Sequence, residues 1–261
     1  MKLPFCDAVR LIDKWRVLMI SKTFEVASFS EFHETIQEIL RSHSTHRKNT
    51  IYRGHKSLEY KLIPKVGRIE KFRFIKLKIG QDAASSLMDQ EKYILREFKN
   101  RSLPLLPRLP VNDWEWLAIG QHHGLAARLL DWSKSPLVAA YFAVEKNYEE
   151  DSAVYSYNRG FYHYEDRDPF HDVSEVERIT PASYTRRIEV QSGVFTVHND
   201  PKKPLEDIAE KGKLHKIIIV KSFRDELREI LANYGIHRAS MFPDLDGMAY
   251  FINDYCVKKW T

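Results

Sequence analysis

A single α+β domain, built on a central split antiparallel sheet flanked by helices, is the fold class this sequence predicts. Three observations lead there. Helix and strand signals alternate without the repeating βαβ period of a doubly wound sheet. The 261 residues are 43% hydrophobic with only 10 Gly and 11 Pro, enough for an ordered chain with a full core. No internal repeat or low-complexity segment interrupts them.

The elements follow in order. Ser28 and Glu31 form a capping box for a helix to Arg41, with Phe32, Ile36, Ile39 and Leu40 as its buried stripe. Thr50–Arg53 reads as a short strand ending on Gly54. Asp82 is placed to cap a long helix to Phe98, and LPLLPRLP at 103–110 has too many prolines for regular structure. Asn112 with Glu115 starts a helix that stops before Gly124. Ala127–Trp132 reads as a buried strand. Ser135-Pro136 then opens a helix whose apolar face is Leu137, Ala140, Tyr141 and Val144. A strand at Ser152–Tyr157 leads into an exposed Asp/Pro-rich loop. A strand pair, Arg187–Gln191 and Gly193–His198, precedes a short helix Leu205–Lys211 and a strand Leu214–Val220. Ser222 caps a helix with the face Phe223, Leu227, Ile230, Leu231 and Tyr234, ended by Gly235, and Asp246 caps a last helix.

Composition bounds the partners. No run approaches the roughly 18 apolar residues of a membrane span, and Asp7 and Asp13 break the N-terminus too early for a secretory signal. Cys6 and Cys256 are too far apart in sequence to suggest a disulfide framework, so a cytoplasmic location is expected. The net charge of +5 is uneven: residues 41–78 hold twelve Lys/Arg against Glu59 and Glu70, with Tyr52, Tyr60, Phe72 and Phe74 interleaved. Such a segment is either a surface for nucleic acid or another polyanion, or a solvated face with its aromatics in the core.

The chemistry gathers at the hinges between elements. Arg53, at a strand end beside a glycine that permits close backbone approach, suits bidentate capture of phosphate or carboxylate, or surface pairing with an acid. Gln121, His122 and His123 close a helix, and adjacent histidines cannot form the i, i+4 pair of a helical zinc site. No other metal-ligand spacing occurs, and no phosphate-loop, dinucleotide-binding or serine-elbow motif is present. Arg128 and Asp131 either pair with each other or face a cleft, because buried charges are costly unless compensated. Arg53, Gln121, Arg128, Asp131 and Gln191 are expected to converge on one concavity, with Arg128 and Asp131 largely buried and each in a charge-assisted hydrogen bond.

Tyr52-Arg53-Gly54-His55, Gln121-His122-His123-Gly124-Leu125, Arg128-Leu129-Leu130-Asp131-Trp132-Ser133, Ser135-Pro136 and Ala139–Ala143 together resemble the FRG domain, a bacterial and phage family named for a Phe/Tyr-Arg-Gly motif. Gln191–Thr196 and Phe242–Gly247 also match its pattern, so the likeness covers about residues 25–255. Ala127 departs from it, standing where the pattern usually carries Thr. A further similarity is to ADP-ribosyltransferases: Ile51–Gly54 resembles their first motif and Leu130–Ala143 the second, with Ser133 in the second-motif place. That resemblance implies an ADP-ribosyltransferase-like fold and an enzyme that transfers from or cleaves NAD in bacteria–phage conflict, with no metal. It implies that Arg53 holds the dinucleotide, that His122 or His123 orients or exchanges protons, and that Glu189, Gln191 or Asp244 (or Asp246) faces the ribose. Trp132 or Tyr141 would shelve nicotinamide, and Tyr52, Gln121, Arg128, Asp131 and Ser133 would line the site. Splitting NAD passes through an oxocarbenium-like sugar, which calls for a cation, an aromatic shelf and a carboxylate. The alternative is a non-enzymatic nucleotide- or nucleic-acid-binding module that uses residues 41–78.

Overall fold

The computed structural model describes residues 20–43, 47–70, 86–146, 148–164, 166–180 and 186–257. Cys6, Asp82 and the basic positions Lys71, Arg73, Lys76 and Lys78 lie outside them, as do Phe72 and Phe74. In chain order the elements are β1 (Lys22–Val26), α1 (Phe29–Ser42), β2 (Thr50–His55), α2 (Leu87–Ser102), α3 (Asp113–His122), β3 (Leu129–Ser133), α4 (Pro136–Val144), β4 (Ser152–Asn158), β5 (Glu177–Ile179), α5 (Arg186–Val190), β6 (Gly193–Val197), α6 (Leu205–Ile208), β7 (Leu214–Ile219), α7 (Arg224–Asn233), α8 (Arg238–Met241) and α9 (Leu245–Val257).

The strands form one seven-stranded sheet in the order β1-β7-β4-β2-β3-β6-β5. The expected split antiparallel sheet is thus an open mixed one, because β1 joins β7 in parallel. Its two halves still meet narrowly. β2 and β4 share a six-residue ladder, whereas β2 and β3 register at a single pair, Tyr52 with Ser133. Beyond that pair β2 and β3 diverge, and the gap is where the site forms.

Helices and loops cover both faces. On one, α1, α4 and α7 pack over Tyr52, Val154, Ile217 and Ile219. A second cluster joins α2 and α3 to Leu129, Phe195 and Ile179. A third, built from Ile51, Leu130, Trp132, Tyr155 and Leu205, lies under the loop around Leu62 and α6. β4 is buried along its whole length, as a central strand covered on both sides must be.

The Tyr-Arg-Gly motif has a packing explanation. A Cβ on Gly54 would lie 2.0 Å from the Ala139 carbonyl oxygen and 2.6 Å from the Ala143 nitrogen. The backbone that approaches this glycine therefore belongs to α4. Only a residue without a side chain lets that helix sit directly on β2.

Several local expectations are corrected. α4 is buried nearly all round rather than along one stripe, which makes it a core helix. Arg187–Gln191 is not a strand: Arg186–Val190 is a helical turn, and Ser192, at φ 48°, turns the chain into β6. Ser86 caps α2 with Asp89 in a capping box. Asp244, not Asp246, caps α9 by accepting from the Gly247 nitrogen at 2.7 Å. α7 starts at Arg224 after a short turn over Lys221–Phe223, and no side chain caps it. The loop after β4 is not simply exposed, because Tyr164, Phe170 and Val173 are buried in the second cluster.

Candidate functional site

β3 supplies the centre of the site. Leu130 and Trp132 are buried in the third cluster, and between them the Asp131 side chain points the other way and is 53% exposed. The expectation of a buried Asp131 therefore does not hold. Its carboxylate accepts from Gln121 Nε2 at 2.9 Å, at the last turn of α3. Asn112 caps the start of that helix, accepting from the Glu115 nitrogen.

Arg53 bridges the gap between the diverging strands. Its Nη1 donates to the Asp131 carbonyl oxygen at 2.5 Å and lies 3.8 Å from the carboxylate. Its Nε donates to His55 Nε2 at 3.1 Å, and His55 Nδ1 lies 3.0 Å from the Tyr60 carbonyl oxygen. This pattern puts the His55 proton on Nδ1. Burial, reinforced by the Arg53 charge, holds the His55 pKa down near 3. Burial also lowers the pKa of Arg53, against the pull of Asp131. Arg53, its side chain 19% exposed, thus directs Nε and Nη1 to the protein itself.

Around Asp131 stand further charged groups. Burial, with the Arg187 charge, lowers the His122 pKa to about 4, while Asp131 and Asp244 act in the opposite direction. Arg187 itself is pulled down by burial and up by Asp131 and Asp244. Glu145, at the end of α4, takes Lys56 Nζ at 3.2 Å and Arg238 Nη1 at 3.4 Å. Burial and Glu145 push the Tyr141 hydroxyl pKa well up, with Arg238 opposing. The Gln121 Oε1 oxygen is buried without a partner.

The sequence-derived residues separate into three groups. Arg53, Gln121 and Asp131 meet directly. Ser133 lies at the end of β3, where its hydroxyl donates to the carbonyl oxygen of Gln191, just after α5, at 2.8 Å. The Gln191 side chain is occupied by the Met241 carbonyl oxygen at 2.9 Å. Tyr52 and Trp132 are core residues, Trp132 donating to Thr196 Oγ1 at 2.9 Å. His123, Glu189 and Asp244 are exposed, and Tyr141 is buried.

Arg128 does not join the site. It is 2% exposed and donates through Nε and Nη2 to Glu91 on α2, at 3.0 and 2.5 Å. Its partner is therefore Glu91 and not Asp131, and its guanidinium lies 4.9 Å from the Phe170 ring centre. Arg187 and Arg238 were not among the sequence candidates. The only trace of Arg187 was its place just before Gln191, inside a segment with a strand-like pattern.

Among the described residues, no three His, Cys, Asp or Glu side chains are grouped as metal ligands, and no helix is long and apolar enough to cross a membrane. Clefts of about 210 and 400 Å³ lie at the far end of β4 and share no residue with this site. Both are lined by Arg159, which already meets Glu175, Glu177 and Glu210.

Fold and site together define an open-sheet α+β protein with a half-exposed carboxylate held between an amide and a bridging arginine. Residues 48–152 match the family model described as the FRG domain. The match runs from β2 into β4 and contains Arg53, Gln121 and Asp131, whereas Arg187, Gln191 and Asp244 lie beyond it. No curated protein and no solved structure matches the chain.

Proposed function

We propose that the site beside Asp131 binds a nucleotide, with NAD as substrate, and that the chain is an ADP-ribosyltransferase-like or NAD-cleaving effector. The observation that carries this reading is the Asp131 carboxylate: half-exposed, fixed by Gln121, and faced by Arg53. Heterolysis of the bond between the ribose and nicotinamide leaves its electron pair on the departing neutral nicotinamide. The sugar becomes cationic and is captured by water or an acceptor nucleophile. A carboxylate held beside that carbon stabilises the developing charge, and Asp131 is the acid available to do so. His122, neutral at pH 7, would take the proton of the incoming nucleophile. A role in bacteria–phage conflict follows from the FRG resemblance alone.

The test is nicotinamide release from NAD by the purified chain. Asp131→Asn is expected to lower the rate about 100-fold or more, the usual scale for losing one electrostatic stabiliser. No loss of NAD and no transfer to protein or nucleic acid would overturn the reading. The nucleic-acid alternative draws less support: of the described aromatics in residues 41–78, Tyr52 is buried in the core and only Tyr60 is exposed for stacking.

A further inference from the structure

We propose that Arg187 is the anion-binding fork of this site, taking a phosphate-class oxyanion through its two Nη groups. The inference deepens the nucleotide reading and rests on it for the identity of the whole ligand, but not for the anion contact.

The argument begins with how Arg187 is held. The helical turn α5 is anchored through buried Ile188, and Gln191 ties its end to α8 by donating to the Met241 carbonyl oxygen. This brings the Arg187 guanidinium to 4.3 Å from the Phe242 ring centre, while Arg238 lies 3.9 Å from the same ring. Two guanidiniums on one aromatic ring each gain a cation–π contact.

Their remaining partners differ. Arg238 is paired with Glu145. Arg187 makes no hydrogen bond or ion pair with any described residue. Its Nε is buried without an acceptor, and its Nη groups are left open to solvent. A half-buried guanidinium without an acceptor is costly unless something supplies one.

The surrounding charges are mixed, with Asp131, Asp244 and Glu145 near Arg187, and Arg238 opposing them. Arg53, Lys56, Arg187 and Arg238 face three carboxylates, Asp131, Glu145 and Asp244. Glu145 is shared by Lys56 and Arg238, Asp131 is held by Gln121 and faces Arg53, and Asp244 caps α9. Of these four cations, Arg187 is the one that makes no ion pair with a described carboxylate. A phosphate oxyanion matches a planar guanidinium edge in geometry and charge. In a nucleotide, an anion there would leave the sugar on the side of Asp131 and the unpartnered Gln121 Oε1.

Inorganic pyrophosphate is the probe, titrated calorimetrically into the full chain without NAD. Arg187→Gln is expected to weaken binding about tenfold or more, and Arg187→Lys to restore part of it, since a charge-assisted hydrogen bond is lost and then partly replaced. Circular dichroism of both variants confirms that the fold is kept. Absence of pyrophosphate binding by the parent chain, or binding by Arg187→Gln at parent affinity, would overturn the proposal. Pyrophosphate held through Arg187 without any nicotinamide release would uphold this inference and remove the NAD reading. NAD cleavage with an unchanged KM in Arg187→Gln would do the reverse.

Discussion

Arg128 and Glu91, 37 residues apart, form a two-pronged ion pair with each side chain 2% exposed, fastening α2 to the start of β3. Their burial makes each partner the other's main compensation. A buried charge stripped of its partner is far more costly than a pair replaced as a unit.

Glu91→Ala or Arg128→Ala alone is therefore expected to destabilise the fold by about 3–5 kcal/mol. The double variant Glu91→Leu/Arg128→Met should be less damaged than either single change. Urea unfolding of the three variants measures the difference. A double variant more damaged than either single change would mean that the pair is not energetically coupled.

Gly54→Ala should be among the most damaging single methyl additions in the chain. The added Cβ falls 2.0 Å from a backbone oxygen of α4, where no side chain can rotate away. A loss of about 3 kcal/mol or more is expected, at the upper end of overpacking costs. Thermal melts of this variant, beside Gly212→Ala as a positive-φ control with open space around it, would check the point.

Acid should weaken the fold before its carboxylates titrate. Burial lowers the pKa of His55 and His198 to about 3 and that of His215 to about 4. The unfolded chain protonates these groups near 6.5, whereas the folded chain keeps them neutral. Their contribution is complete above pH 6.5 and drains as pH falls from there toward 4, at roughly 1.4 kcal/mol per unit for each group. His215 has no partner on either ring nitrogen. His215→Leu is thus expected to leave stability at pH 7 unchanged or higher, and to flatten the decline by roughly 2 kcal/mol between pH 7 and 4.5. Melting temperature against pH for parent and variant reads both effects.

His122 reports on Asp131. The carboxylate raises the His122 pKa while burial and Arg187 lower it to about 4. Asp131→Asn should therefore move the His122 titration to still lower pH, and Arg187→Gln should move it higher. The imidazole proton shifts followed by NMR from pH 7 to 3 give the sign directly. An unmoved midpoint in both variants would mean that His122 does not share the site.

The helix starts at Ser28, Asn112 and Ser135 and the stop at Gly235 were legible in the sequence, although Glu31 reaches back to the Ala27 nitrogen and not to Ser28. In each case the partners lie within a few residues, so chain connectivity alone brings them together. The hydrophobic central strands were legible for a related reason: β4 and β7 carry their burial in their own composition. Arg53, Gln121 and Asp131 stood out as polar groups flanked by apolar anchors, although β2 runs on to His55, so that Arg53 lies within the strand and not at its end.

The tertiary structure decided the rest. β1 is a short edge strand with mostly exposed residues, and only its pairing with β7 identifies it as a strand. α5 carries the β-branched pattern of a strand, but the chain turns at Ser192 before a second ladder can form. Local pattern cannot say which face of β3 is covered, so Asp131 emerges half-exposed while Arg128 is sealed against Glu91. Nor can it bring Arg187 to Phe242, 55 residues further along. Contacts of that range depend on which layers pack together, a choice made by the whole core rather than by any segment within it.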